Sequence, residues 1–124
     1  MKRSIALIFS FAFLALASAQ FVELTEEQIS PNDRFLLELR GFGVGYVLQK
    51  GFFEVTRSKL PGLYYNLTEV EKIERRSTNA AAFYRFTVLL TEQENQATVR
   101  AVFTIRYDHR NGAYLVSDWR YTIL

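Results

Sequence analysis

The stretch Ala80 to Leu90, AAAFYRFTVLL, decides how this chain is read. Ala82, Tyr84, Phe86, Val88 and Leu90 fall on one face of an extended backbone, and Phe83, Arg85, Thr87, Leu89 and Thr91 fall on the other, the two-residue period of a half-buried strand. The first face is wholly apolar. The second mixes a cation and hydroxyls with two apolar residues, which suits an antiparallel sheet packed on one side and partly solvated on the other. Such a strand is not stable alone, so the rest of the chain must supply partner strands and a cover.

Downstream, Thr91 to Gln96 reads as a polar hairpin loop, and Ala97 to Tyr107 as a strand in which Val99, Ala101, Phe103, Ile105 and Tyr107 alternate with Arg100, Val102, Thr104 and Arg106. Asp108 to Gly112 closes a second hairpin, with Asn111-Gly112 the strongest short turn signal in the chain. The last strand runs from Ala113 to Leu124, with Leu115, Ser117, Trp119, Tyr121 and Ile123 on one face and Tyr114, Val116, Asp118, Arg120 and Thr122 on the other. Upstream of the Ser77-Thr78-Asn79 loop, Leu63 to about Arg76 reads as a strand. Tyr65, Leu67 and Ile73 share a register that Val70 breaks, and the charged second half, Glu69 to Arg76, suits an edge or bulged strand, with a short helix as competitor.

Before the Pro61-Gly62 turn, and the basic segment Arg57-Ser58-Lys59 that leads to it, the period changes. Phe35, Leu36, Leu39, Phe42, Tyr46 and Val47 recur at three- and four-residue spacing behind a capping Asn32 or Asp33, which predicts a helix from Asp33 to about Lys50 with Gly51 as its stop. Gly41, Gly43 and Gly45 each weaken that helix by about 1 kcal/mol relative to Ala. Their smallness would let a curved sheet approach closely. GFGVG lacks the spacing and the β-α-β setting of a phosphate-binding loop. Gln20 to Ser30 reads as a polar arm or short turn. The order is one N-terminal helix laid across a four-stranded antiparallel meander, an α+β plan.

Lys2 and Arg3 precede an apolar run from Ile5 to Ala17, and Ala17-Ser18-Ala19 is an A-x-A cleavage site. Residues 1–19 are therefore expected to be a secretory signal peptide, too short for a membrane span, and residues 20–124 a secreted, extracellular single domain. Losing Lys2 and Arg3 brings the 15 basic residues down to the number of acidic ones, 13, so the mature chain has no net charge. No global field then concentrates polyanions, which argues against nucleic acid as partner. Cysteine is absent, which excludes disulfides, thiolate metal sites and a cysteine nucleophile, so stability must come from packing. Asn66-Leu67-Thr68 is an N-glycosylation sequon, meaningful in a secreted chain.

A signal peptide, a long helix soon after the mature start and a four-stranded meander together resemble the cystatin superfamily over nearly the whole mature chain. The most telling segment is Asn79 to Leu90, NAAAFYRFTVLL, similar in pattern to the cystatin strand that leaves the first hairpin. The resemblance implies reversible inhibition of papain-like cysteine proteases by a three-part wedge: an N-terminal segment with a glycine, a first hairpin reading Gln-x-Val-x-Gly, and a second hairpin carrying Pro-Trp. Such a wedge fills a cleft without presenting a peptide bond for attack, and a pre-organised loop loses little entropy on binding. Here the first hairpin reads Arg76-Ser77-Thr78-Asn79-Ala80-Ala81, the second His109-Arg110-Asn111-Gly112, and the arm Gln20 to Asn32 has no glycine; the one tryptophan is Trp119. The three signature elements are unmatched and no family binding residue is carried over. By topology alone, a binding edge would be built from Asn79, Ala80 and Ala81 with His109, Arg110 and Asn111.

The remaining candidates have plainer explanations. His109, the single histidine, sits beside Asp108 at a turn with no nucleophile tied to it, which predicts a solvated loop rather than a catalytic base. Arg85, Arg100 and Arg106 near Phe83 and Val102 predict an outer face laced with cross-strand ion pairs. Glu69 with Glu71, and Glu92 with Glu94, read as solvated carboxylates rather than a glycosidase pair. The expectation is a non-enzymatic monomer without cofactor or metal that binds another secreted protein, the alternative being a carrier of a small apolar ligand held between helix and sheet.

Overall fold

The computed structural model describes residues 20–55, 60–62 and 64–124; the expected signal peptide, residues 1–19, and the basic segment Arg57-Ser58-Lys59 lie outside them. Five strands form one antiparallel sheet in the order β1-β2-β3-β4-β5, namely Val22–Glu23, Tyr65–Ser77, Ala81–Glu92, Thr98–Asp108 and Tyr114–Ile123. The four expected strands are present as a meander, and the fifth comes from the arm. Val22 pairs with Arg75, Glu23 with Glu74, and the Leu24 N–H donates to the Ile73 carbonyl at 2.8 Å, so the arm is a strand and not a free polar lead. A two-residue strand has no period to read, which is why the sequence hides it.

A single helical turn, α1 (Glu26–Ile29), and a 3₁₀ turn (Ser30–Asn32) lead from β1 into the long helix α2, Asp33–Val55. Asn32 does not cap α2; its side-chain amide donates back to the Gln28 carbonyl. The helix also runs five residues past Lys50, straight through Gly51. Gly51 is no terminator because it continues the buried stripe Leu36, Leu39, Gly43, Val47, at the spacing of a helix face, and its missing Cβ leaves room for Leu60. Gly43 does the same for the Phe103 ring, whereas Gly41 and Gly45 face open space, so close approach to the sheet uses one of the three expected glycines. Phe42, expected on the apolar stripe, is 40% exposed and lies edge-on to Tyr114, 5.1 Å between ring centres.

In β3 the faces are as read: Phe86, Val88 and Leu90 are fully buried against α2, with Ala82 and Tyr84 in the same register. Phe86 stacks on Phe103 of β4 at 5.3 Å, and Leu36, Leu39, Val47, Ile73, Ala101 and Ile105 complete the core. Each of the Leu, Ile, Val and Phe side chains contributes about 1.5 to 3 kcal/mol through removal from water. Two strands depart from simple alternation. In β2, register shifts after Leu67 and after Val70 admit Thr68 and Glu71 as extra residues, so Leu67, Val70 and Ile73, three apart, all pair opposite the inner residues Leu90, Val88 and Phe86. Val70 is thereby brought into the register that plain alternation denied it.

In β5 the same device corrects the predicted faces. Ile105 pairs with Val116 while Thr104 pairs with Asp118, which leaves Ser117 as an extra residue. Tyr114 and Val116 therefore join Trp119 against the core, and Leu115 is turned outward and 53% exposed. The Ser117 hydroxyl donates to the Thr104 carbonyl at 3.3 Å.

Candidate functional site

At one end of the sheet the β2–β3 turn and the β4–β5 loop stand side by side. Asn79 and Ala80 alone span the first turn, closed by the Thr78 N–H donating to the Ala81 carbonyl at 2.8 Å and by the Thr78 hydroxyl oxygen accepting from the Ala81 N–H at 3.1 Å. The second loop is held by Asp108, whose Oδ1 accepts from the Arg110 N–H at 2.8 Å, and by Asn111, whose Oδ1 accepts from the Ala113 N–H at 2.9 Å. Gly112 completes it in the left-handed region, φ +70°, where other residues are strained. Between the two, the His109 N–H donates to the Ala80 carbonyl at 3.1 Å. That bond ties the tips into one edge, with a groove of about 370 Å³ lined by Asn79, Ala80, Asp108, His109 and Arg110.

Of the six residues expected at this edge, Asn79, Ala80, His109, Arg110 and Asn111 are exposed and adjacent. Ala81 is not available: it is 1% exposed and its N–H and carbonyl both serve the turn. Asp108 spends its carboxylate on the loop backbone, and the His109 ring lies edge-on to Tyr107 at 6.4 Å. The edge offers backbone, small side chains and one cation, Arg110.

The arm adds a third part that sequence reading missed. Because β1 runs antiparallel to β2, Gln20 and Phe21 extend toward the same end, and Phe21 covers Arg85 and Arg76, 4.0 and 5.5 Å from ring centre to guanidinium. A cleft of about 590 Å³ opens between Gln20 and Val22 of the arm, Gln28 and Asn32, and Arg75 and Tyr84 of the sheet. Arg75 Nε donates to the Tyr84 hydroxyl at 3.2 Å across its floor.

The outer sheet face carries the expected ion pairs. Arg85 makes two hydrogen bonds of 2.9 Å to Glu74, and Arg100 donates to both oxygens of Glu71 at 2.6 and 3.1 Å. Hydrogen bonding from Arg85 holds the Glu74 carboxyl below its ordinary range, and the bond from Arg100 does the same for Glu71. Arg106 lies beside Phe83, 6.0 Å from its ring centre. Glu92 corrects the solvated-carboxylate reading: it continues the inner face of β3, is 2% exposed, and its Oε2 accepts from the Glu94 and Asn95 N–H groups at 2.8 and 2.7 Å, organising the loop at the far end. Asn66 is exposed near that far end, opposite Thr91, with the Thr68 hydroxyl donating to the Leu89 carbonyl.

A void of about 10 Å³ lies among Val47, Leu48, Leu60, Tyr65 and Leu90, between α2 and the sheet. Among the described residues no three His, Asp or Glu side chains are grouped to hold a metal ion, and no helix is long and apolar enough to cross a membrane. No known protein family, curated protein or solved structure matches the chain.

Proposed function

We propose that this chain is a secreted, cystatin-like protein that acts by binding another protein through its hairpin end. The observation that carries the reading is the His109 N–H to Ala80 carbonyl bond, which fuses the two hairpin tips into one pre-formed edge beside the arm. A rigid edge of exposed backbone and small side chains binds with little ordering cost. Its narrow profile suits a deep cleft, and the active-site cleft of a papain-like cysteine protease is the specific target we propose, engaged by Asn79, Ala80, His109, Arg110 and Asn111.

The test is inhibition of papain and cathepsin L by purified residues 20–124. Dose-dependent inhibition, lost when Ala80 is replaced by Arg, is the expected outcome. Both proteases remaining fully active at micromolar protein sinks the protease version; a pull-down from the native secretion through the same edge then identifies the protein bound instead. The carrier alternative needs an enclosed apolar space. The void among Val47, Leu48, Leu60, Tyr65 and Leu90 is about 10 Å³, room for one water, and the 590 Å³ cleft beside the arm is lined by the polar Gln20, Gln28, Asn32 and Arg75 as well as by apolar residues. That favours protein binding.

A further inference from the structure

The sheet has two edges, and they are guarded differently. Beyond the two residues covered by β1, the open edge of β2 carries two bulges, Glu69, Glu71 and Lys72, and the sequon at Asn66, all of which discourage strand addition. Among the described residues no strand lies beyond β5, which runs ten residues with one bulge and two charges, Asp118 and Arg120. The orientation of its backbone follows from the ladder. The Leu124 N–H donates to Thr98 at one end, and Ala113 accepts from the Asp108 N–H at the other. Counting inward by twos, with one step across the extra Ser117, turns the N–H and C=O groups of Tyr114, Val116, Trp119 and Ile123 away from β4.

A second copy of β5 laid antiparallel must set residues of the same face opposite each other, which limits the registers to those centred on a residue. Centring on Asp118 opposes two carboxylates, and centring on Arg120 opposes two guanidinium groups. Centring on Tyr121 sets Arg120 against Thr122. Centring on Trp119 sets Asp118 against Arg120 of the second copy and, by symmetry, Arg120 against its Asp118. In that register the outward N–H and C=O of the two Trp119 residues close a hydrogen-bonded pair. The Asp118 and Arg120 side chains then fall at the non-hydrogen-bonded positions, where they approach most closely. Arg120 forms no ion pair within the chain among the described residues.

We propose that β5 is a self-complementary edge through which two copies of this chain join, antiparallel and centred on Trp119, into a ten-stranded sheet held by two Asp118–Arg120 ion pairs. The dimer replaces the monomer that the sequence suggests, and it leaves both hairpin ends uncovered, at opposite ends of the joined sheet.

Sedimentation velocity of residues 20–124 over a micromolar concentration series tests this. The expected result is a reversible dimer. Asp118→Arg and Arg120→Asp each set like charges opposite one another, and each is expected to weaken the dimer about tenfold or more, whereas the double variant D118R/R120D restores it. Both side chains are exposed, Asp118 also attracts Arg85 within the chain, and recovery of the dimer in the double variant is a pattern that loss of that attraction or a folding defect does not produce. A chain that stays monomeric throughout the series overturns the proposal. So does a dimer that neither single variant weakens, because its contact then lies elsewhere.

Discussion

Gly43 and Gly41 sit two residues apart in one helix and carry opposite burdens. An added Cβ at Gly43 would overlap the Phe103 ring, which is itself fully buried, so neither side can yield without moving the sheet. At Gly41 nothing lies within 4 Å of the added atom, so alanine there only removes backbone freedom from the unfolded chain. Gly41→Ala is expected to stabilise by about 0.5 to 1 kcal/mol and Gly43→Ala to destabilise by about 1 to 3 kcal/mol. Chemical denaturation of the two variants beside the parent measures both, and equal effects would deny the close approach. The sequence announced that glycines in a helix permit contact with a sheet. It could not say which one, because Leu37, Phe42, Phe52 and Phe53 keep the helix apolar on its exposed sides too.

Among the elements, legibility tracks regularity. β3 and β4 alternate without a break through residues 81 to 92 and 98 to 108 where they pair with each other, and their faces could be read directly. β2 and β5 contain extra residues, and each one inverts the parity of everything beyond it, so plain alternation misplaced Val70, Leu115 and Val116. Deletions in β5 separate the two situations. Removing Ser117 takes out the extra residue and leaves Tyr114, Val116 and Trp119 on their present face. Removing Arg120 keeps the bulge and turns one flank of the strand over. The Ser117 deletion is expected to retain the near-ultraviolet circular dichroism of a packed Trp119 and to lose about 1 kcal/mol or less. The Arg120 deletion is expected to lose that signal and at least about 2 kcal/mol. Equivalent behaviour of the two deletions would contradict the register.

On the scale of the whole molecule, cross-strand ion pairs tie stability to pH. Arg85 hydrogen-bonds Glu74, and Arg100 hydrogen-bonds Glu71, so both carboxyls titrate below their ordinary value of 4.5 in the folded chain. A depressed folded value means that the unfolded chain binds the proton more readily. The stabilisation is therefore complete above the unfolded pKa and is lost as pH falls through the folded one. Unfolding free energy is expected to decline once pH drops below about 4.5. Glu74→Gln is expected to shrink that decline while lowering stability at neutral pH. An acid limb identical in the parent and in E74Q would show that the Arg85 pair contributes nothing. These pairs were anticipated in kind, since the meander places Arg85 and Arg100 on the outer face. The partner Glu71 was not, because it owes its position to a bulge. The hairpin end was legible in the same partial way: the order of strands puts both tips together, whereas the bond that joins them and the arm beside them depend on pairings with no sequence signal.

The pairing of β1 with β2 also bears on the order of assembly. Each other pair of neighbouring strands is joined by a short turn or loop, but Val22 must wait for Arg75, with α2 made in between. Closing so long a loop costs entropy that a two-residue ladder recovers poorly, so this strand zips last and opens first. The arm is the part of the hairpin end that the folding chain acquires at the final step, after the tips are already locked. The two-loop edge is therefore complete while its flank is still open, and the arm closes that flank afterwards.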